Sequence, residues 1–549
     1  MKHFTATLSL LLMSSLSMAS LTAAQHQHAS GDARPASLIP NLGRHHHPVS
    51  TRSREAQRFF DQGLTLVYAF NHDEAERSFK RAAELDPKLA MAHWGVALAV
   101  GPNYNLDVDP DREKAAYDAI QRARALAPGA SERERAYIEA LAKRYSNDPK
   151  PDLKKLAVDY KSAMAELVRR FPDDLDAAAL YADSLMVLKP WQLWGADGKP
   201  AEGTEEIIRA LESVLKRDPN HVGANHLYIH AVEASPSPER ALQSAERLRT
   251  LVPAAGHLVH MPAHIFMRTG NYQEAARSNA IAAEVDRAYI EETKAQGVYP
   301  LMYYSHNLHF LAIASSMAGR FDDAIKAADR LNAYLTPFAK QMQMVDMFLP
   351  TPTLVLVRFR RWDDLLKLPE PDRATPLANA FWHFGRGMAL AATGRVEQAE
   401  SEQKVFAEAG KAFPADAMWG LNRLENVMKI ANNMLGARVA LAKGDKKSAA
   451  DLLKQAASVE DALAYNEPAD WVLPARESLG GVLLSSGDYA EAENVFRADL
   501  KQNPRSGRSL FGLLESLNRQ GKKPASAAVQ KEFDAAWKSA DTRLRIEDL

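Results

Sequence analysis

One offset, 417 residues, relates two distant stretches of the chain: Gly63, Ala75, Phe79 and Pro87 recur as Gly480, Ala492, Phe496 and Pro504. The spacing within each set is that of two antiparallel helices in close contact. Small residues let the helices approach, the aromatic fills the seam with the next pair, and the proline stops the second helix. A unit of this size cannot bury its apolar face alone, so units must stack. A turn signal of Gly, a polar residue and an aromatic, followed by Ala, returns between the two ends. It appears at Gly270-Asn271-Tyr272 with Ala275 and at Gly319-Arg320-Phe321 with Ala324. Gly394, Gly444 and Gly487 mark comparable turns. Counting turns predicts an all-α solenoid of about eleven to twelve helical hairpins. No alternating pattern of any length is present, so β content should be negligible.

A chain of 549 residues is too long for one compact core and suits an elongated array. The 68 basic and 69 acidic residues balance, which argues against nucleic acid as the main partner. With no cysteine, disulfides, thiolate metal sites and cysteine nucleophiles are excluded. Lys2, an apolar run from Leu8 to Met13 and small residues at Ala19, Ala23 and Ala24 have the order of a secretory signal. Residues 1–24 are therefore expected to be a signal peptide. The mature chain is expected to be periplasmic or secreted, with no membrane span once the signal is removed. Residues 25–51 are rich in Pro, Gly, Ser and His, including His26, His28, His45, His46 and His47, and read as a flexible leader able to pick up metal weakly. Two arrays should follow, 52–340 and 341–549. Three insertions interrupt them: Gly101–Asp111, Pro190–Gly203 with Trp191 and Trp194, and Gln341–Pro352. Loops of this size in a solenoid are candidates for functional surface.

Within each unit the small residue, alanine, aromatic and proline stand at positions 8, 20, 24 and 32, a spacing that resembles the tetratricopeptide repeat. The resemblance implies a right-handed superhelix whose concave groove is lined by positions 2, 5, 9, 12 and 13 of each first helix. The stretch Tyr465 to Trp471 with Pro474, Arg476, Leu479 and Gly480, and the run from Asp499 to Pro504, resemble exported bacterial tetratricopeptide proteins of unassigned activity. That likeness implies a fold and an address, and carries over no catalytic residue.

Seven of the 17 histidines fall between His226 and His309. His226 and His230 are four apart, as are His260 and His264, and the pairs are separated by one repeat of 34 residues. By the repeat register, His257, His260 and His264 take positions 2, 5 and 9 of one hairpin, and His306 and His309 positions 2 and 5 of the next. All seven are thus expected on the groove, joined by Glu233 and Met267 at position 12. Trp191, Trp194, Tyr228, Tyr303 and Tyr304 are candidate aromatic walls. Imidazole and carboxylate without thiolate suit copper, zinc, iron or nickel, and Met261, Met267 and Met302 keep copper among them. His93 and His383 read as boundary residues. No HExxH, GxSxG, GxxxxGK or GxGxxG signature is present. Two readings stay open: a groove that binds a peptide, protein or small ligand, and a metal-dependent enzyme (oxidoreductase or hydrolase) or metal carrier on the same scaffold.

Overall fold

The computed structural model describes residues 36–340 and 342–549. The expected signal peptide, His26, His28 and Gln341 lie outside the described residues. Twelve helical hairpins follow one another. The first four pair Arg54–Tyr68 with His72–Leu85, Ala90–Val100 with Pro110–Leu126, Glu132–Ala142 with Leu153–Arg170, and Leu175–Met186 with Thr204–Arg217. The fifth pairs Val222–Val232 with Leu242–Leu251. In the sixth, a broken first helix, Gly256–His260 then Pro262–Arg268, faces Tyr272–Thr293, and the seventh pairs Ser305–Met317 with Phe321–Leu335. The last five begin at Thr351–Arg358, Pro376–Ala392, Leu424–Ala442, Ala475–Ser486 and Gly507–Arg519. Among the described residues, named strands are confined to the two-residue pair Met418–Trp419 and Asn422–Arg423.

The repeated aromatic does what its spacing predicts. A Cβ added at Gly63 or at Gly95 would strike the Phe79 ring at 2.7 and 2.3 Å, and one at Gly480 or Gly512 would strike Phe496 at 2.4 and 2.1 Å. Each phenyl ring therefore fills the seam between its own hairpin and the next, where a side chain larger than hydrogen does not fit.

The solenoid winds tightly enough for distant hairpins to touch. Gly223 of hairpin five packs on Tyr68 of hairpin one, with 2.4 Å left for a Cβ. Gly270 and Gly319 close their turns in the left-handed region, at φ +74° and +73°. The hairpin-twelve side of the molecule presses on both, through the Pro504 carbonyl at Gly270 and the Trp537 ring at Gly319. Tyr272 donates to the Pro504 carbonyl at 2.9 Å, and Asp541 accepts from the backbone of Phe321 and Asp322. One apolar core runs from Ala36 to Ala314 and a second from Ile313 to Leu549, so the two cores meet at Ile313 and Ala314, inside hairpin seven. No helix of the described residues is long and apolar enough to cross a membrane.

Residues 36–51 are not the free leader expected from composition. Gln62 accepts from Ile39 N–H at 2.8 Å and donates to the Ser37 carbonyl at 2.9 Å. Ser50 N–H donates to Glu134 at 2.6 Å, and His47 is buried. Composition misled because polar residues here find polar partners on hairpins one, three and four.

Candidate metal centre

Every residue of Val222–Val232 is buried, so its two histidines face protein on all sides. Gly256–His260 and Pro262–Arg268 are parts of one first helix, interrupted because Pro262 has no N–H to continue the ladder. Met261 keeps helical backbone angles across the break, so His260 and His264, four apart, still share a face. Together with Ser305–Met317, these helices bring His226, His230, His257, His260, His264 and His306 into one cluster. Within it, His226, His230 and His257 each offer a ligand atom within 4.8 Å of the other two, as do His260, His264 and His306. Relative exposure of the first five is 2% or less.

The hydrogen-bond partners assign the protons. His226 Nδ1 meets the Tyr68 carbonyl at 2.6 Å, and His230 Nδ1 meets Glu233 Oε1 at 2.7 Å. His260 Nδ1 meets Asn279 Oδ1 at 2.7 Å, and the Asn279 amide is itself oriented by donating to the Ala275 carbonyl at 2.8 Å. His264 Nδ1 meets Glu233 Oε2. All four partners are acceptors, so all four Nδ1 atoms carry hydrogen and a neutral ring leaves Nε2 as a bare lone pair. These lone pairs point inward. His260 Nε2 and His264 Nε2 are 2.8 Å apart, and His226 Nε2 and His257 Nε2 are 3.1 Å apart. His230 Nε2 and His257 Nδ1 are buried without any partner.

His257, whose Nδ1 has no partner, is free to carry its hydrogen on Nε2 and donate to His226. Between His260 and His264 two lone pairs would repel unless a proton on His264 or a cation lies between them. Two imidazole nitrogens bound to zinc at its usual distance stand about 3.3 Å apart in a tetrahedral site, and about 2.9 Å apart at the right angle of a tetragonal site. Both observed separations fall in or near that range. The residues present therefore fit a transition metal, with Glu233 and Asn279 as the outer partners that orient ligand rings.

The electrostatics favour the neutral form in five of the six rings and the charged form in His264. Burial holds His226, His257, His260 and His306 well below the ordinary histidine value, with neighbouring imidazoles adding to the shift. Burial also lowers His230. His264 is raised: burial opposes its charge, but the Glu233 carboxylate outweighs it. Glu233 is correspondingly held well below the carboxylate range, burial notwithstanding, by His264 and His230. Aromatic rings wall the cluster. Phe70 lies 4.5 Å from the His226 ring, Tyr104 lies 5.2 Å from His230, and Tyr303 lies 4.9 Å from His257.

Of the other residues singled out from sequence, Glu233 sits at the centre of the cluster and Trp191 packs 5.7 Å from the His230 ring. His309 lies one helical turn on, against Phe348, and burial lowers it to about 4. Trp194 is a layer behind, donating to the Ala231 carbonyl at 2.8 Å. Met267 lines a neighbouring cavity of 370 Å³. Two assignments are corrected. Tyr228 turns away to donate to Glu212 at 2.6 Å, because the helix phase that turns His226 and His230 inward sends it toward the second helix. Tyr304 meets Tyr334 edge-on and accepts from Arg330, outside the cluster. The aromatic wall and Tyr465 cover much of the cluster, while His306 and His309 stay half-buried. The Tyr465 hydroxyl lies 3.1 Å from both Glu233 and Glu467, reaching in from the loop before hairpin eleven. Sequence reasoning passed over Phe70, Tyr104, Asn279 and Tyr465. None shares the histidine register, so no periodic signal could have found them.

A second histidine gathering surrounds Asp176, which follows Leu175 at the start of hairpin four. Tyr68 donates to Asp176 Oδ1 at 2.7 Å and His47 Nδ1 meets Oδ2 at 2.8 Å. His45 Nε2 and His221 Nε2 lie 3.0 and 3.2 Å from Oδ1. His221 Nδ1 accepts from Ala224 N–H at 3.1 Å, so the neutral ring carries its hydrogen on Nε2, facing the carboxylate. Tyr68 and His47 hydrogen-bond to this carboxylate, while His45 and His221 stand at ion-pair distance with Nε2 atoms that complete no hydrogen bond. Ligand atoms within 4.8 Å of one another also occur here, but the tautomers suit a charge hub and not a metal.

The tetratricopeptide repeat family model matches residues 478–541, which span hairpins eleven and twelve, and the ten hairpins before them repeat the same helix pair. The fold is a tetratricopeptide-type α-solenoid, with the family match itself confined to hairpins eleven and twelve. No curated protein matches it. Similar solved structures include the Cut9-Hcn1 hetero-tetramer of APC/C, with 14% identity over 89% of this chain and 78% of that one at a TM-score of 0.31. Human IFIT1 dimer with m7Gppp-AAAA gives 13% identity, 90% and 92% coverage and a TM-score of 0.31. Yeast Tom70 gives 10% identity, 88% and 93% coverage and a TM-score of 0.28. Superpositions this loose carry nothing about what the solenoid binds.

Proposed function

We propose that this solenoid is a metal-binding protein holding transition-metal ions in two adjacent three-imidazole sites, His226/His230/His257 and His260/His264/His306. The observation that carries the reading is the pair of opposed Nε2 atoms, 2.8 and 3.1 Å apart, with Nδ1 committed to outer acceptors on four of the rings. Three neutral imidazoles per ion, without thiolate, suit zinc, copper or iron. The chain's own residues orient the rings through Glu233, Asn279 and the Tyr68 carbonyl, and exclude water through Phe70, Tyr104 and Tyr303. An ion bound there would act as a Lewis acid or a redox centre. The order of charged, apolar and small residues in positions 1–24 supports export, so we place the loaded protein in the periplasm or outside the cell.

Repeat scaffolds present extended surfaces, which supports a protein-binding role as well. Five of the clustered histidines are buried, which favours an ion over a peptide as their direct ligand. Elemental analysis of tag-free protein tests the metal reading. The expected result is about two equivalents of transition metal, from the two ligand trios. Less than about a tenth of an equivalent after reloading, unaltered in His260→Ala, would sink it.

A further inference from the structure

The C-terminal hairpins enclose a cavity of 530 Å³ with an unusual charge balance. Arg360, Arg438, Arg508, Arg543 and Arg545 line it, against the acids Glu547 and Asp548. Much of this charge is already committed. Arg508 pairs with Glu477 at 2.9 Å, Asp548 pairs with Arg545 at 3.1 Å, and Arg360 donates to the main-chain oxygens of Asp548, at 2.8 Å, and Leu549. Arg438 is the exception. Its Nε is buried with no acceptor, and its guanidinium lies over the Trp362 ring at 5.0 Å, with Arg360 over the same ring at 5.8 Å.

A guanidinium cannot relieve this by losing its proton at any ordinary pH. Arg438 is half-buried and feels the Asp548 carboxylate, but its Nε finds no acceptor, and charged groups taken out of water are normally hydrogen-bonded as well as paired. Stacking on an indole offsets part of that cost but supplies no hydrogen-bond acceptor. What Arg438 lacks is a planar or tetrahedral group of anionic oxygens, which a guanidinium fork matches in geometry as well as charge. The space for one is beside it. Burial lowers Arg438 to about 10 and repulsion from Arg438 and Arg508 adds to the burial effect on Arg360, so the cationic pair is itself held at a disadvantage that a bound anion would relieve.

We infer that this cavity is an anion-binding site for a carboxylate or phosphate group, with Arg438 as the principal ligand-contacting residue and Trp362 as its supporting wall. It lies in the C-terminal array, away from the histidine cluster, and stands whether or not that cluster holds metal.

Isothermal titration of the full chain with inorganic phosphate, and separately with succinate, at constant chloride tests the site. One saturable site is expected for at least one of the two anions. Arg438→Gln should weaken it by about tenfold or more, and His260→Ala should leave it unchanged. Tighter phosphate binding assigns a phosphate ester as the natural group, and tighter succinate binding a carboxylate. Heats that never saturate with either anion, or an Arg438→Gln isotherm equal to wild type, overturn the inference. Should Arg438→Gln fold poorly, Arg438→Lys keeps the charge but loses the fork. Its affinity is then expected to fall between wild type and zero binding, and an unchanged affinity also overturns the inference.

Discussion

Around Asp176, Tyr68 and His47 turn an O–H and an N–H toward one carboxylate, and His45 and His221 stand at ion-pair distance from it. Between hairpins five and seven, four imidazoles turn their N–H groups outward to fixed acceptors and their lone pairs toward one another. Both gatherings are buried, both are rich in histidine, and both bring ligand atoms within a few ångströms. The difference lies in where the protons point. In the first the centre is already an anion with its partners, and in the second the centre is a set of ring nitrogens facing one another. Proximity of histidines is thus a poor guide to metal binding until each ring's second nitrogen has been accounted for.

The sharpest way to break this comparison is to remove a ligand from each trio. His260→Ala and His226→Ala are each expected to lose about one equivalent of metal by elemental analysis, more than the hundredfold affinity loss typical of outer-partner changes. Equal metal content in the variants and wild type would erase the distinction. Next in size is Asp176→Ala, which strands the groups that converge on it. Removing one partner of a buried ionic cluster costs about 3–5 kcal/mol, read as a shift in the urea unfolding midpoint, while metal content should stay as in wild type. Metal loss in this variant would mean that the hub and the centre are one site.

A smaller effect is expected of Glu233→Gln. Glutamine offers one acceptor oxygen where the carboxylate offers two, so either His230 or His264 loses its partner and metal affinity should fall by about 10- to 100-fold, measured by competition with a chelator. The smallest effect is on pH. His45 and His47 are raised above 6.5; burial opposes this, but Asp176, Asp174 and Asp61 outweigh it. Asp176 is held well below 3.8, against burial, by the histidines, His45 first. Tyr68, Tyr137 and His221 also face this group. The histidine contribution to stability is complete below pH 6.5 and is lost as pH rises through the raised values. The Asp176 contribution is present above 3.8 and is lost as pH falls through its depressed value. The exchange protection factor of residues 36–51, corrected for the intrinsic base-catalysed rate, should therefore be largest between those limits and fall about tenfold on the alkaline side. A flat profile would deny the hub its ionic character.

The repeat was legible because its spacing is geometric: Phe79 and Phe496 mark the same seam 417 residues apart, and the turn glycines sit where hairpins reverse. The histidine register was legible for the same reason, since residues 34 apart in a stacked array are neighbours. The covering of the cluster was not. It depends on how tightly the superhelix winds and on contacts such as Tyr465 with Glu233, which no local pattern encodes. Tyr228 was misplaced because residues two apart on a helix share a neighbourhood in sequence but not a face. The hub went unread because His45, His47 and His221 meet only through Asp176, a residue with no periodic mark.

Tyr465 contacts Glu233 across 232 residues of chain, so during folding the imidazoles of hairpins five to seven stay open until the loop before hairpin eleven docks on them. Were they to hold metal as proposed, an ion would enter before that docking or during a later opening of the loop.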